Sequence, residues 1–149
     1  MAYSGLANKG VIYHPQFIQP EDEKSFEPKK IAEIQLSDNK AWEKMEQALV
    51  DVISARNGTA HKVYDANSVV IAGKTGTAQI KSILPGKEYD AIRENPALRD
   101  HALFVGYGPV KDPKLVVAVI IENGESGSEV AAPIVKSAIN FFTGGFDAE

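Results

Sequence analysis

The stretch "VVIAGKTGTAQI", residues 69–80, joins a β-branched apolar start to a centre made of glycine, lysine and threonine. Valine and isoleucine favour a strand, whereas glycine is disfavoured inside one because it costs backbone entropy and has no side chain to pack. Two glycines at the centre, Gly73 and Gly76, therefore indicate that another group approaches this backbone closely. We predict a strand over residues 69–80 with another group close to its middle.

Two further strands and two helices are predicted around this strand. The strands span residues 101–108 and 114–122, and the "LVVAVII" of the second is apolar on both sides, so it is expected to be central and covered on both faces. The clearest helix is 38–56, because its large apolar residues recur at helical spacing. Those residues are Trp42, Met45, Leu49, Val52 and Ile53. A largely apolar helix follows in "SEVAAPIVKSAINFF", with Ser128 as its expected cap and Pro133 in its first turn.

The remaining segments are short or polar. "AYSGLANKG" predicts a brief helix that ends at Gly10, and "VIYHPQFIQP" predicts an extended edge or a loop, because Pro15 and Pro20 limit pairing. The charged run "EDEKSFEPKK" predicts an exposed loop, and "EYDAIRENPALRD" predicts a partly helical connection. The order helix, strand, strand, strand, helix favours an α+β fold, in which an antiparallel sheet of three strands is flanked by helices.

The composition is that of an ordinary soluble globular chain, and it excludes several classes of function. The 149 residues are 44% apolar and 24% charged, with a net charge of −4 and no basic face, so a nucleic-acid partner is not expected. The absence of cysteine removes disulfides and a cysteine nucleophile. His14, His61 and His101 are scattered, so no metal site is expected, and His101 is interpreted as structural. No segment reaches 18 apolar residues, so the chain itself is expected to be soluble.

Three interpretations compete for the Lys-Thr-Gly centre of the first strand. Gly73-Lys74-Thr75 matches the end of a phosphate loop, G-x-x-x-x-G-K-[ST], but Ser68 replaces the first glycine and no helix pattern follows. The second interpretation is an exposed strand that holds Lys-Thr-Gly by chance, since a given tripeptide arises in roughly one chain in fifty of this length. The third is the Lys-Thr-Gly element of penicillin-binding serine acyl-transferases, which accompanies Ser-x-x-Lys and Ser-x-Asn. There, a peptide pairs with the strand and a backbone N–H points at the oxyanion.

Longer segments support the third interpretation. "AGKTGTAQ" resembles the corresponding strand of class B penicillin-binding proteins. "LRDHALFVGYGP", "PKLVVAVIIENG" and "AAPIVKSAI" resemble, in order, that family's next two strands and last helix, and "AYSGLANKGV" and "GTAHKV" resemble its upstream segments. The long insert that ends in "LRDHA" is most similar to elongation-type members. The resemblance covers nearly the whole chain, is weakest over residues 21–30, and implies the fold of a transpeptidase domain similar to serine β-lactamases.

The resemblance implies a parent protein that is a peptidoglycan D,D-transpeptidase, anchored in the bacterial inner membrane with a periplasmic catalytic domain. Such an enzyme acylates a serine with a D-alanine of a stem peptide, passes the acyl group to a neighbouring stem, and is trapped by β-lactams. By matching position, Lys74, Thr75, Gly76 and Thr77 are implied to face the substrate. Thr75 and Thr77 would hold the donor's carboxylate, Thr77 N–H would be an oxyanion donor, and Lys74 would set the local field. No cofactor is implied.

The chain departs from the family pattern in its nucleophile. The one Ser-x-x-Lys tetrapeptide, Ser37 to Lys40, also spells Ser-Asp-Asn, and one tetrapeptide cannot supply both elements. Ser37 stands where the helix over 38–56 needs a cap, so we interpret the tetrapeptide as structural. We therefore expect residues 1–149 to be the C-terminal portion of one transpeptidase domain, with the nucleophile-bearing part upstream and the isolated chain inactive. A non-catalytic binding or scaffold fragment is the alternative from another class.

Two protein partners follow from this expectation. The upstream half of the transpeptidase domain would complete the site. Without it, the strand over 114–122 would lose a neighbour, and an unpaired apolar strand edge is a template for pairing with another chain. We therefore expect the isolated chain to form a homo-oligomer through this edge or through displaced helices.

Overall fold

A computed structural model describes residues 1–18, 27–38, 40–80 and 95–144 of the chain. Its elements are helix α1 (Ala2–Ala7), strands β1 (Val11–Tyr13) and β2 (Lys30–Glu33), helix α2 (Lys40–Ser54), strands β3 (Ala72–Ala78), β4 (His101–Gly108) and β5 (Leu115–Ile121), and helix α3 (Ala132–Phe142). Short 3₁₀ turns lie at His61–Val63 and Pro96–Leu98, and a π-helical turn at Gly127–Ala131 precedes α3. The predicted α+β class is confirmed.

The central sheet has the strand order β3-β4-β5, and both pairings are antiparallel. Its register sets Thr75 of β3 opposite Phe104 of β4, and Phe104 opposite Val119 of β5. The three predicted strands are therefore confirmed, although β3 begins at Ala72 rather than at residue 69. The short connection from β4 to β5 holds the Gly108–Pro109 peptide in the cis form.

The prediction that the "LVVAVII" strand is central and covered on both faces is wrong. In the described part of the chain β5 pairs only with β4, so it is an edge strand, and none of its residues is fully buried. Ile120 keeps 64% of its surface exposed. The sequence pattern reports that both faces of β5 are apolar, but it does not report how many neighbours this chain supplies.

Successive strand residues point to opposite faces, so the sheet carries two separate sets of contacts. One face packs against α3 and forms the larger core, around Phe104, Val135 and Ile139. The other face is covered at one end only, where α1 and Leu49 of α2 pack over Ala72 and Tyr107. We call these the α3 face and the α1 face.

The amphipathic pattern of α2 is confirmed with one exception. Leu49 and Ile53 are buried, and Trp42 and Val52 are half-buried, but Met45 is 48% exposed. The cap predicted at Ser37 is found one residue later, because Asp38 Oδ1 accepts a hydrogen bond of 2.9 Å from the N–H of Lys40 and the carbonyl of Asp38 accepts one from the N–H of Ala41. Aspartate caps a helix as well as serine does, so the two adjacent residues compete on equal terms.

A two-stranded sheet lies beside α1, and the sequence revealed only its first strand, as an extended segment. Strands β1 and β2 pair antiparallel, with Val11 opposite Glu33, and all four residues of β2 are exposed. Because no face of β2 is buried, its sequence carries no alternation of apolar and polar residues. The predicted brief helix is present, but it ends at Ala7, with Asn8 as its C-cap, rather than at Gly10. Gly10 lies in the turn that follows, where its φ is +101° and a Cβ would lie 2.7 Å from the Trp42 ring.

The start of α3 differs from the prediction. Ser128 lies inside the π-helical turn and its hydroxyl is 3.1 Å from that of Ser126, so it does not cap the helix, which begins at Ala132. Pro133 does lie in the first turn, where its missing N–H costs nothing. The predicted loop over residues 21–30 falls mostly outside the described residues, as does most of the predicted partly helical connection. None of the described helices has the length and apolar character that crossing a bilayer requires.

Candidate functional site

Strand β3 turns from buried to exposed along its length, and the change occurs at the Lys-Thr-Gly sequence. Ala72 and Gly73 are buried, Thr75 and Gly76 are half-buried, and Lys74 and Thr77 are exposed. Within the described residues β3 pairs with β4 alone, so its other edge is available to an extended ligand. Such an edge offers backbone N–H and C=O groups to a peptide that adds as a further strand.

Glycine stands at positions 73 and 76 of β3 for different structural reasons. A Cβ at Gly73 would lie 2.6 Å from the Phe104 ring, so the group that approaches this backbone is a core side chain of the same chain. A Cβ at Gly76 would lie 3.2 Å from Leu103 Cβ, which is a tight contact that a small shift of the neighbour would relieve. The prediction that another group approaches this backbone closely is therefore confirmed at Gly73, where that group belongs to the core. The role of Gly76 beside a ligand stays a prediction.

The side chains of the predicted site residues divide between the two faces of the sheet. Gly73 faces Phe104, so alternation sets Thr75 and Thr77 on the α3 face, and Lys74 and Gly76 on the α1 face. The structure nevertheless brings Lys74 and Thr75 together at the edge. Lys74 Nζ donates to Thr75 Oγ1 at 3.3 Å and to the carbonyl of Thr75 at 3.1 Å.

Thr59, which the sequence analysis did not name as a site residue, joins this group. Its hydroxyl lies 3.1 Å from Thr75 Oγ1. A signal was present in "NGTAHK", where a helix stop is followed at once by threonine. That pattern alone does not show that the turn folds back beside β3, because Thr59 and Thr75 are 16 positions apart in sequence.

The turn that carries Thr59 is fixed to the end of α2. The N–H of Ala60 donates to Val52 O and the N–H of Gly58 donates to Ala55 O, both at 2.8 Å. Gly58 is needed for this approach, because a Cβ there would lie 2.3 Å from Asp51 O. Ala60 is completely buried, so the backbone on each side of Thr59 is anchored.

A salt bridge connects the same turn to the start of α3. Lys62 pairs with Glu129 of the π-helical turn. That turn also contacts the sheet closely, because a Cβ at Gly127 would lie 2.2 Å from Leu103 O and 2.9 Å from Gly76 O. The α3 side of the Lys-Thr-Gly edge is thus bordered by two segments that are tied to each other.

An open apolar groove lies on the opposite side of the edge, along the α1 face. Its volume is about 480 Å³, and it runs from Lys74 and Gly76 to the start of α1. The sheet residues that line it are mostly apolar: Leu103, Val105, Val116, Ala118 and Ile120. A second cleft, of about 230 Å³, lies between α2, residues 63–71 and Lys136, away from the Lys-Thr-Gly edge.

Two titratable groups near these clefts are perturbed. Burial, with smaller contributions from Glu46 and Tyr3, raises the pKa of Tyr107 to about 12. The N–H of Asn67 and the ammonium of Lys136 hold the pKa of the Asp65 carboxyl below its ordinary value, although partial burial opposes them. Tyr107 lies under α1 at the closed end of the α1 face, and Asp65 lies at the rim of the second cleft.

The remaining predicted groups do not form a second site. The tetrapeptide Ser37 to Lys40 begins α2, where the side chains of Ser37 and Lys40 are exposed. His101 is structural, as predicted, because its Nδ1 accepts a 3.0 Å hydrogen bond from the N–H of Asn123. Across the described ranges, no three histidine, aspartate or glutamate side chains come together as metal ligands would.

Comparisons with known proteins agree on one family. A family model described as "Penicillin binding protein transpeptidase domain" matches residues 1–140. Peptidoglycan D,D-transpeptidase MrdA of Haemophilus influenzae is 33% identical over 141 residues, which are 92% of this chain and 22% of that protein. MrdA of Acinetobacter baumannii is 41% identical over 103 residues, which are 68% of this chain and 14% of that protein.

Solved structures give the same result. PBP2 of Pseudomonas aeruginosa, determined in complex with WCK 5153, is 37% identical and superposes with a TM-score of 0.73 over 93% of this chain and 28% of that one. The D,D-transpeptidase domain of a peptidoglycan glycosyltransferase from Eggerthella lenta is 27% identical, with a TM-score of 0.66 over 97% of this chain and 31% of that one. The chain spans between 14% and 22% of the length of the curated relatives it matches.

Proposed function

The chain belongs to the penicillin-binding protein transpeptidase domain family, and from that premise we propose that it is the C-terminal portion of the transpeptidase domain of an elongation-type peptidoglycan D,D-transpeptidase. The observation that carries the proposal is the exposed edge of β3, where Lys74 and Thr75 hydrogen-bond beside a strand edge that no other described residue pairs with. The phosphate-loop interpretation is not favoured, since its lysine would follow a strand and open a helix, whereas Gly73, Lys74 and Thr75 lie inside an antiparallel strand.

The proposed substrates are the stem peptides of peptidoglycan, and β-lactams as their mimics. A donor peptide would lie along the free edge of β3, with the hydroxyls of Thr75 and Thr77 on its terminal carboxylate and Thr77 N–H on the oxyanion. Lys74 would supply positive charge, and Gly76 would let the ligand approach the backbone. The exposure of Lys74 and Thr77, and the partial exposure of Thr75 and Gly76, support these roles. The whole enzyme is proposed to be anchored in the inner membrane, with this domain in the periplasm.

The upstream half of the transpeptidase domain is the partner that the proposal requires. It would bring the serine nucleophile and its lysine to the β3 edge, since a serine hydroxyl attacks only when a neighbouring base takes its proton. The apolar groove on the α1 face supports this partner, because an apolar surface next to a site of polar chemistry is typical of an interface. Where that half is absent, we propose that the same groove and the β5 edge join two copies of the chain.

The experiment compares the isolated chain with the complete domain, in which this chain is the C-terminal portion. Each is mixed with a fluorescent penicillin, denatured and examined for covalent label. We expect label on the complete domain and none on the isolated chain. In the complete domain, Thr77→Val should slow acylation by roughly tenfold to a hundredfold, because a hydrogen bond to a charged group contributes about 1.5–3 kcal/mol.

The matched control is Thr143→Val, which removes a threonine hydroxyl that donates to Ile139 O at the end of α3. This variant should be acylated at the wild-type rate. A complete domain that takes no label would refute the proposed activity. Label on the isolated chain that Ser37→Ala abolishes would refute both the missing nucleophile and the structural role of the tetrapeptide.

A further inference from the structure

The hydroxyl of Thr75 is in contact with two other groups of the chain. Lys74 Nζ lies 3.3 Å from Thr75 Oγ1, and Thr59 Oγ1 lies 3.1 Å from it. An ammonium group can only donate, so Thr75 Oγ1 accepts from Lys74. A hydroxyl has one proton and two lone pairs, so the direction of the bond with Thr59 decides what Thr75 has left to offer a ligand.

Two arrangements are possible, and they differ in function. If Thr75 donates to Thr59, its proton is used inside the protein. If Thr59 donates to Thr75, both lone pairs of Thr75 Oγ1 are occupied and its proton is available to an acceptor outside. An incoming carboxylate selects the second arrangement, because charge-assisted hydrogen bonds are roughly twice as strong as neutral ones. The two bonds that Thr75 accepts also polarise the one that it donates.

The position of Thr59 is suited to this role because its backbone is held on both sides. Gly58 and Ala60 are hydrogen-bonded to α2, and His61 Nδ1 lies 3.1 Å from Ile53 O. The salt bridge from Lys62 to Glu129 adds a connection to the π-helical turn. Thr59 itself is exposed and is not part of the core. With its backbone fixed and its hydroxyl exposed, Thr59 is better suited to orienting a neighbouring group than to packing in the core.

We propose that Thr59 is a positioning residue of the substrate site, which directs the proton of the Thr75 hydroxyl toward the carboxylate of the donor peptide or β-lactam. The inference rests on the proposed function, in which Thr75 contacts that carboxylate. Thr59 does not touch the ligand and acts through Thr75. Its effect is therefore restricted to ligands that carry the carboxylate.

The test measures second-order acylation rates of the complete domain with a penicillin and with the methyl ester of the same penicillin. Thr59→Val keeps the shape of the side chain and removes the donor, so acylation by the free acid should fall about threefold to tenfold. Thr59→Ser keeps the hydroxyl and should stay within about twofold of wild type. With the ester, which reacts slowly throughout, Thr59→Val and wild type should react at equal rates.

A double-mutant cycle adds a second readout. If Thr59 acts through Thr75, the variant with both Thr59→Val and Thr75→Val should react no more slowly than Thr75→Val alone. Equal slowing of the free acid and the ester, or additive effects in the cycle, would assign Thr59 a general structural role and overturn the inference. An unchanged rate in Thr59→Val would also overturn it. A wild-type domain that penicillin does not acylate would refute the proposed function itself.

Discussion

The α3 face and the α1 face of the central sheet are built from alternate residues of the same three strands, yet only one of them is closed by this chain. On the α3 face, Phe104 is 2% exposed and packs with Val135 and Ile139 of α3. On the α1 face, Tyr107 is covered at one end, but the surface from Leu103 to Ile120 forms an open groove. Neighbours in sequence therefore differ sharply in burial.

Within the described residues, the chain has one closed hydrophobic core and one open apolar surface, separated by the thickness of a single sheet. Apolar area removed from water stabilises a fold by about 25 cal/mol per Å², so the α3 face should contribute most of the stability of the isolated chain. The open part of the α1 face contributes little until a partner covers it. The Lys-Thr-Gly edge lies at the border between the two.

The largest effect is expected from truncating adjacent residues on opposite faces. Phe104→Ala should lower the free energy of unfolding by about 3–5 kcal/mol, because it leaves a cavity in the closed core. Leu103→Ala should cost about 1 kcal/mol in the isolated chain, since Leu103 already contacts solvent. Urea unfolding of both variants gives the two values. In the complete domain the cost of Leu103→Ala should rise, and equal costs for both residues in the isolated chain would contradict the distinction.

A smaller effect concerns the closed end of the α1 face. Burial raises the pKa of Tyr107 to about 12, against an ordinary value near 10. Below pH 10 both states keep the proton. Above it the unfolded state releases the proton first, so stability is lost as the pH rises from 10 towards 12. Between pH 9 and pH 11 the wild type should lose on the order of 1 kcal/mol more than Tyr107→Phe.

Urea unfolding at the two pH values measures this difference. Tyr64→Phe is the control, because it removes a tyrosine that is 49% exposed and keeps Tyr107. This variant should lose the same stability as the wild type between the two pH values. If Tyr107→Phe and the wild type lose the same stability, the α1 face does not exclude water from Tyr107 and is open along its whole length.

The smallest effect is expected at the open part of the α1 face. The isolated chain should self-associate there, because an apolar groove and an unpaired strand edge lie side by side. Ile120→Lys should weaken association about fivefold, or about 1 kcal/mol. Ile134→Lys is the matched control, since Ile134 on α3 is 46% exposed but lies outside the groove. Sedimentation over a concentration series measures both, and a stable monomer would contradict the proposal.

The sequence predicted the elements that repeat an apolar pattern and missed what depends on distant contacts. Helix α2 was found because its apolar residues recur at helical spacing, and strands β3 and β5 were found from their runs of β-branched apolar residues. Strand β2 was missed because its residues are all exposed. The π-helical turn before α3 depends on the close approach of Gly127 to Leu103 O, which no local pattern reports.

The candidate site was predicted in part. The motif located Lys74 and Thr75, which the structure joins by a hydrogen bond. The two glycines predicted a close approach to the β3 backbone, but only the structure shows that the group beside Gly73 is the Phe104 ring. Thr59 was missed because its hydrogen bond to Thr75 exists only when the turn after α2 folds back onto the sheet. The edge position of β5 depends on which part of the domain the chain contains, which amphipathicity cannot reveal.

The register that sets Ala78 opposite His101 has a consequence for how this domain can change in evolution or in the laboratory. Because the two strand ends face each other across the sheet, the connection over residues 79–100 begins and ends at one place, and its length does not set the strand pairing. The entropy of closing a flexible loop grows only with the logarithm of its length, by about 0.6 kcal/mol per doubling. A change in the length of this connection should therefore leave Thr75 and Thr77 in place, because pairing with β4 holds them in register.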